Sequence, residues 1–535
     1  MKARVTINKQ NNKLLYERFP KWLLAAILYG VSWSYFAEIN LSFIAWFAFI
    51  PLFIDLENRN TFREYYSRAL FFIVVSYTII CHGFLFTAQF QLFIFIGAAS
   101  ELFMASISFA LIYPIKKKYG FNLALTVLPF VISLWEWLYQ QFEHTTGYVM
   151  LSNSQCRNVW LIQYIDIFGV WSIACWVMLF NVLLFFQYRK FLGKLKSAAV
   201  NKNLVIIFLV MIAPPLCYYA YNYSRYSETS GTRLNFTLIN TNFSVDDSSP
   251  KRWTNKIERL VFLTDSVDYE LKQNHLQNNL FVWHEGALDY GNNNSAIQFI
   301  DTVVNDWGTP LLTGMQFMPE NAGGDNRKVN RAALFDINNQ FDVSVQSYDK
   351  VRLFPIREKV PYHNLLTQIP FIKNYVTKPD YLKEGDGIKL IEIKTQNGNA
   401  VKIGTPICQE QNYSYIWNEM ALKGAQCFVQ LSYESWWTLD YFKKQMADIT
   451  RLRCIETHRY AARCSNGGVT DFIDPLGRIY SSAGKSEGAV TASVALISDG
   501  ATFFSKHQNL FPLLCLAMVF SIIIYTEVKK SRVNS

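Results

Sequence analysis

Apolar residues in this chain come in two different rhythms. Between 21 and 225 they form long runs, near 21–37, 40–56, 69–87, 91–115, 122–141, 168–188 and 204–223, and a last run follows near 508–527. Runs of roughly 17–25 apolar residues are long enough to cross a bilayer. Such runs in close succession predict a membrane bundle of about seven spans over 21–225, closed by a final transmembrane helix at 508–527. The first two runs are short and read equally as a re-entrant pair. From Arg233 the period changes. Leu234–Asn240 alternates as a strand, and Lys256–Gln273 has helical spacing at Ile257, Leu260, Val261, Val267 and Leu271. Strands are predicted at Leu280–Trp283, Pro310–Gly314, Arg331–Asp336, Phe341–Val345, Ala400–Ile403, Cys427–Leu431 and Gly467–Ile473, with Tyr460–Cys464 extended. Helices are predicted at Ala296–Val304, Ile416–Leu422 and Lys444–Arg459, the second closed by Lys423 and a capping Gly424. Asp474-Pro475-Leu476-Gly477 is a turn between strands. Strand–helix alternation with antiparallel hairpins predicts an α/β layered domain over 230–500.

Charge sets the orientation of this frame. Lys2, Arg4, Lys9, Lys13 and Arg18 precede the first run, and Arg59, Arg63 and Arg68 follow the second. Lys116-Lys117-Lys118 follow the fourth, Arg189, Lys190, Lys194, Lys196 and Lys202 the sixth, and Lys529, Lys530 and Arg532 the last. The alternate loops 37–40, 87–91 and 141–167 carry almost no Lys or Arg apart from Arg157. By the positive-inside rule the termini, 1–20 and 528–535, are cytoplasmic and the layered domain is exported. The net charge of +10 resides largely in these anchors, so it does not point to nucleic acid. The first apolar run lacks a small-residue cleavage site and leads into further spans, so no cleavable signal peptide is expected.

Candidate chemistry lies at the ends of predicted strands. Cys408 follows the strand Ala400–Ile403 and precedes a helix. Helix N-terminal N–H groups lower a thiol pKa and can receive an oxyanion. Glu285 ends another strand, and Lys350 sits in the aromatic, proline-containing stretch Tyr348–Pro355. Strand ends are where layered α/β domains assemble sites. A carboxylate that takes a thiol proton, an ammonium beside a developing oxyanion and a cysteine that attacks a carbonyl make a coherent acyl-transfer set. Singly, each has a commoner reading, a buried small hydrophobe for the cysteine and solvated charges for the others. The combination is what weakens those readings. None of the nine cysteines has metal-like spacing. A disulfide among Cys427, Cys454 and Cys464 would suit an exported domain.

The motifs around these residues resemble the nitrilase, or carbon–nitrogen hydrolase, superfamily, and within the membrane frame its apolipoprotein N-acyltransferases. Trp283-His284-Glu285 stands for the family's Trp-Pro-Glu, Lys350 to Glu358-Lys359-Val360-Pro361 for its lysine motif, and Ile407-Cys408-Gln409-Glu410 for its Ile-Cys-Tyr-Glu. Ser465–Thr470 and Ile473–Arg478 match its glycine-valine tail, and Phe168-Gly169-Val170-Trp171 its membrane-side motif. The resemblance is near full length. It implies an αββα sandwich with Glu285 as general base, Lys350 as oxyanion stabiliser, Cys408 as nucleophile and Glu358 as a supporting carboxylate. Glu410, Gln409, Trp253 and Trp436 are expected at the substrate. Ping-pong transfer is implied, from a phospholipid donor to the N-terminal amine of diacylglyceryl-cysteine in an apolipoprotein acceptor. The enzyme is expected to be a monomer in the bacterial inner membrane, with its domain on the periplasmic side and no cofactor or metal. Trp436-Trp437 or Phe503-Phe504 would dip into the interface, or else belong to the core. The chain departs from the family at His284, Gln409, Ile356-Arg357 and Tyr433-Glu434-Ser435-Trp436-Trp437, around the pocket rather than at the reactive set. The rival enzyme is a membrane-tethered nitrilase-type amidase, which leaves so many spans unexplained. The non-enzymatic rival is a transporter or receptor with an inactive domain, for which Pro214-Pro215 would interrupt a span and His82 and Glu101 would be intramembrane polar groups. An intact Glu285, Lys350 and Cys408 argue against a dead domain.

Overall fold

The computed structural model describes residues 20–33, 39–83, 92–193, 198–226, 231–244, 252–288, 294–319, 327–337, 346–370, 381–395, 398–484 and 487–534. The expected strand at 341–345 and nearly all of the N-terminal segment 1–20 lie outside them. The membrane half holds α1 (Lys21–Ser32), α2 (Ile50–Glu57), α3 (Phe62–Cys81), α4 (Leu92–Tyr119), α5 (Phe121–Tyr139), α6 (Ile165–Phe168), α7 (Trp171–Gly193) and α8 (Ala198–Tyr226). Among the described residues, four stretches are long and apolar enough to cross a membrane: Phe121–Tyr139, Trp171–Phe191, Lys202–Tyr226 and Leu510–Arg532. Val205, Leu209 and Val210 on α8, and Leu513, Phe520 and Ile524 on the last helix, are exposed. Such faces suit lipid rather than water.

Two features differ from the sequence pattern. The apolar run at 40–56 is not one helix but a 3₁₀ turn, Ser42–Trp46, followed by the short α2. The break frees backbone groups, and Asn181 of α7 takes them up, donating to the Ala45 carbonyl and accepting from the Phe49 N–H at 3.0 Å. Internal satisfaction of this kind is obligatory at membrane depth. Nor do Pro214 and Pro215 interrupt α8, which is helical throughout Ala198–Tyr226. The carbonyl that Pro215 leaves without a donor, at Met211, accepts from Trp176 Nε1 at 3.1 Å.

The domain that follows contains two six-stranded sheets, ordered β12-β1-β2-β3-β4-β5 and β11-β10-β9-β8-β7-β6. Their strands are β1 (Arg233–Asn240), β2 (Leu280–Val282), β3 (Leu311–Phe317), β4 (Val329–Phe335), β5 (Ser347–Asp349), β6 (Ile391–Lys394), β7 (Ala400–Gly404), β8 (Cys427–Tyr433), β9 (Ala461–Asn466), β10 (Thr470–Ile473), β11 (Ile479–Gly484) and β12 (Gly488–Ala495). In each sheet three central strands are parallel, β1–β2–β3 and β7–β8–β9, with antiparallel flanks. The inner faces meet through Phe236, Leu238, Val282 and Leu312 on one side and Ile403, Val429 and Leu431 on the other. Helices α9 (Arg252–Gln273) and α10 (Asn294–Trp307) cover the first sheet through Leu260, Ile300 and Val304. Between β5 and β6 lies α11 (His363–Leu366), and α12 (Ser414–Leu422) and α13 (Asp440–Thr457) follow the Cys408 turn. The αββα layering is thus realised.

Helix α13 carries a second duty. Its Phe442, Met446, Ile449, Leu452 and Ile455 belong to the apolar core of the bundle, while Cys454 reaches the core between the sheets. Polar ties reinforce this seam. Glu456 accepts the Val170 N–H at 3.0 Å, Gln163 Nε2 donates to the Leu476 carbonyl at 3.0 Å, and Gln445 Nε2 donates to the Trp33 carbonyl at 2.6 Å. The chain ends with α14 (Phe503–Lys506) and α15 (Leu510–Asn534). No disulfide forms among Cys427, Cys454 and Cys464. All three are buried free thiols, and Cys464 Sγ lies 3.3 Å from the Ile239 carbonyl, across to the other sheet.

Candidate active site

Three segments leave the strand ends and converge. The first follows β2. Trp283 is buried, with Nε1 donating to Thr264 at 3.0 Å, and the chain turns at His284 and Glu285. Strand β3 passes directly beneath: a Cβ on Gly314 would lie 2.5 Å from Glu285 Cα. Gly314→Ala must therefore displace the Glu285 backbone, and a displacement on the scale of 1 Å can cost about 10²-fold in rate. A loss of this size in activity, in a folded protein, is the expected result. The second segment follows β5, where the Lys350 N–H is fixed to the Asn330 carbonyl at 2.8 Å.

Lys350, only 1% exposed at its side chain, lies between two carboxyls, 3.3 Å from Glu285 Oε1 and 2.9 Å from Glu358 Oε2. Asn330 Nδ2 donates to both carboxyls, at 2.7 Å to Glu285 and 3.2 Å to Glu358. Oε2 of Glu285 is buried and receives no aligned donor. The group facing this carboxyl from the third segment is the Cys408 thiol. Burial pushes the Glu285 carboxyl above the ordinary carboxylate range, and the Lys350 ammonium pulls it back only in part. Burial also works against the Lys350 charge, but Glu285 and Glu358 outweigh it and hold the ammonium well above its usual value. Burial, and then Glu285, push the Cys408 thiol well above its ordinary range.

This corrects one expectation. Cys408 does not sit at the N-terminus of an α-helix. It opens a five-residue 3₁₀ turn, Cys408–Asn412, and α12 begins only at Ser414. Desolvation, first, and Glu285 push this thiol upward, with the Lys350 ammonium pulling the other way. The cysteine backbone is left-handed, φ 52°, a conformation that persists only where the surroundings enforce it.

Glu410 does much of that enforcing. It is fully buried, and its Oε2 accepts the Ile407 N–H at 2.8 Å. Its Oε1 accepts the Tyr348 hydroxyl at 2.9 Å and the N–H groups of Val351 at 2.9 Å and Arg352 at 3.1 Å. Burial lifts its carboxyl to about 7 against the downward pull of these donors. Both oxygens accept from groups of the protein, so Glu410 brackets the Cys408 turn and the lysine segment. Gln409 is likewise buried, with Nε2 donating to the Arg352 carbonyl at 3.3 Å. Trp436 is half-buried, and the Arg357 guanidinium lies over its ring at 4.0 Å, so these two departures from the family pattern meet. Trp253 falls in the first turn of α9, and its side chain is outside the described residues.

His284 is buried, with Nδ1 against the Glu285 carbonyl at 2.7 Å. Burial and the neighbouring Lys256 depress it to about 3, so it is neutral across the working range. Sequence reasoning missed Asn330 and Tyr348. Each is a polar residue of a strand whose partners lie on other segments, Glu285 and Glu358 for Asn330 and Glu410 for the Tyr348 hydroxyl. Among the described residues no cluster of His, Cys, Asp and Glu has the makings of a metal site.

Comparison with known proteins gives two family matches. The carbon-nitrogen hydrolase family matches residues 281–499, and the apolipoprotein N-acyltransferase N-terminal domain matches residues 25–183. An apolipoprotein N-acyltransferase of Chlorobaculum tepidum is 27% identical, covering 97% of this chain and 98% of that protein. The apolipoprotein N-acyltransferase 1 of Treponema denticola is 23% identical, covering 96% and 97%. Among solved structures, Saccharomyces cerevisiae Nit3, a nitrilase-superfamily member, aligns with 52% of this chain and 94% of its own at 16% identity and a TM-score of 0.36.

Proposed function

We propose, for a chain that belongs to the apolipoprotein N-acyltransferase family of the carbon–nitrogen hydrolases, that Glu285, Lys350 and Cys408 carry acyl transfer from a phospholipid to a lipoprotein. The chain is a membrane N-acyltransferase of lipoprotein maturation, and its acceptor is accordingly a lipoprotein. The amidase reading is not favoured, because the bundle and its family match extend the likeness well beyond the hydrolase-like domain.

The observation that carries the residue assignment is the Lys350 ammonium held between Glu285 and Glu358 beside the thiol. As Cys408 Sγ bonds to the donor ester carbonyl, Glu285 takes the thiol proton. Lys350 stabilises the oxyanion, which collapses, and the lysophospholipid alkoxide leaves with the proton from Glu285. The thioester is then attacked by the α-amine of diacylglyceryl-cysteine. Glu285 accepts the amine proton and returns it to the departing sulfur. Asn330 and Glu358 keep Lys350 and Glu285 in register. Charge asymmetry of the loops favours the bacterial inner membrane with residues 230–500 on the periplasmic side, and nothing in the mechanism calls for a second subunit.

Intact mass after incubation with phospholipid tests this, with Cys408→Ala alongside. One added acyl mass, released by hydroxylamine and missing from the variant, is the expected result. Ammonia released from small amides without an adduct would overturn it. The pH dependence follows from the raised Glu285 carboxyl. The base must be ionised, so adduct formation should fall as pH drops through a pKa above the ordinary ~4.3. Glu285→Gln should lower the rate and remove that limb, and His284 contributes none because it is neutral above about 3.

A further inference from the structure

The bundle reaches the candidate site through the loop at residues 140–147. On the side of the nucleophile, the Thr146 carbonyl accepts Asn412 Nδ2 at 2.9 Å, Gln140 Nε2 donates to the Asn412 carbonyl at 2.9 Å, and the Tyr413 hydroxyl donates to the Thr145 carbonyl at 2.5 Å. Asn412 is the last residue of the 3₁₀ turn that Cys408 opens. Gly147, at φ +65°, lets the loop pass against it, and a Cβ there would lie 3.3 Å from Asn412 Cβ. On the side of the lysine segment, the Glu143 carboxylate pairs with Lys359 at 3.1 Å and accepts the Tyr362 N–H at 2.9 Å, and Arg352 donates to the Phe142 carbonyl.

The loop is in turn held from the interior of the bundle. Glu101 on α4 is buried, and its Oε1 accepts both the Thr146 N–H at 2.7 Å and the Thr146 hydroxyl at 3.0 Å. A carboxyl at such a position is costly and persists where it has a job. The sequence alone would place Glu101 among the polar groups of a transport path. In the fold its hydrogen bonds go to the loop that touches the nucleophile turn.

We propose that loop 140–147, anchored by Glu101, is a positioning element that holds the Cys408 turn in its left-handed start and so aims the thiol at Glu285. The inference rests on Cys408 being the nucleophile. It makes the bundle part of the catalytic apparatus, beyond presenting the domain to lipid. A left-handed non-glycine residue needs enforcement. Glu410 provides it from within the sandwich, and the Glu101–Thr146–Asn412 chain provides it from the membrane.

The test uses the full-length protein in detergent with phospholipid, following acyl-adduct formation and alkylation of Cys408 by iodoacetamide, a reagent too small to need the lipid site. Glu101→Leu should lower the maximal rate of both reactions by about 10–100-fold, the scale of a small misplacement, with KM for phospholipid nearly unchanged. Glu101→Gln, whose amide oxygen can accept the same two bonds, should recover most of the rate. Asn412→Leu should lose a similar factor, and the double variant should lose no more than either single one, because both cut the same chain. Rates like wild type in folded Glu101→Leu and Asn412→Leu would overturn the inference. So would a loss confined to KM, losses that multiply in the double variant, or a Glu101→Gln as slow as Glu101→Leu. Should Glu101→Leu fail to fold, Thr146→Val, which removes only the hydroxyl, carries the same comparison with Asn412→Leu. Absence of any adduct in the wild type would count against the nucleophile assignment itself, whereas a reactive wild type with equally reactive variants would remove only the positioning role.

Discussion

Lys350→Met is expected to lower acyl-adduct formation by about 10²–10³-fold, the usual cost of removing one group that stabilises an oxyanion. Methionine fills the space of the stem, so the packing around a residue only 1% exposed is kept while the charge is lost. Two consequences follow from the geometry. The oxyanion loses its cation. In addition, Glu285 and Glu358, both within 3.3 Å of the ammonium, are left facing each other through Asn330. Two carboxyls that close do not both stay ionised. A shared proton would occupy the base, so the residual rate should rise with pH over a higher range than in the wild type. Single-turnover mass measurements across pH check both consequences. A variant that keeps the wild-type rate and pH limb would remove Lys350 from the mechanism.

Glu410→Leu should be the most damaging substitution among the residues that support Glu285, Lys350 and Cys408. It strands four donors at once, the buried Ile407 N–H and Tyr348 hydroxyl and the partly buried N–H groups of Val351 and Arg352. Each buried group without a partner costs about 1–3 kcal/mol, so the two buried donors alone lose at least about 2 kcal/mol of local stability. The turn of Cys408 and the segment of Lys350 are released together. The expected outcome is loss of adduct formation together with faster proteolysis or hydrogen exchange confined to residues near 348–361 and 406–413. If the variant keeps exchange protection there but loses its phospholipid KM, Glu410 contacts substrate after all and the bracket reading is wrong.

The site was partly legible in the linear chain because its chemistry is concentrated at strand ends. Glu285 and Cys408 stand out by following apolar strands, and Lys350 by its aromatic and proline company. The structure brings these three and Glu358 to one point. The supporting network was not legible. Asn330 reads as an unremarked polar residue in a strand, and it becomes meaningful only through its partners on other segments, Glu285 and Glu358. Glu410 could be picked out but not interpreted, because a carboxyl two residues after Cys408 says nothing about where its oxygens are spent. For the thiol, a strand-to-helix turn suggests a lowered pKa, whereas desolvation and the neighbouring Glu285 push the Cys408 thiol upward.

Local properties were determined by the sequence alone. Apolar run lengths announce a membrane bundle, the change of period at Arg233 an α/β domain, and the Lys and Arg anchors an expected orientation. All three depend on residues near each other in the chain, so no knowledge of the fold is needed to read them. Tertiary structure alone decided how the two halves join. It broke the run at 40–56 and capped the break with Asn181, supplied Trp176 to the carbonyl left by Pro215, and laid α13 on both the sandwich and the bundle. It also tied Glu101, through Thr146, to Asn412, more than 300 residues away along the chain. Buried polar groups must find partners wherever the fold has placed them, and a partner hundreds of residues distant leaves no periodic trace in the sequence.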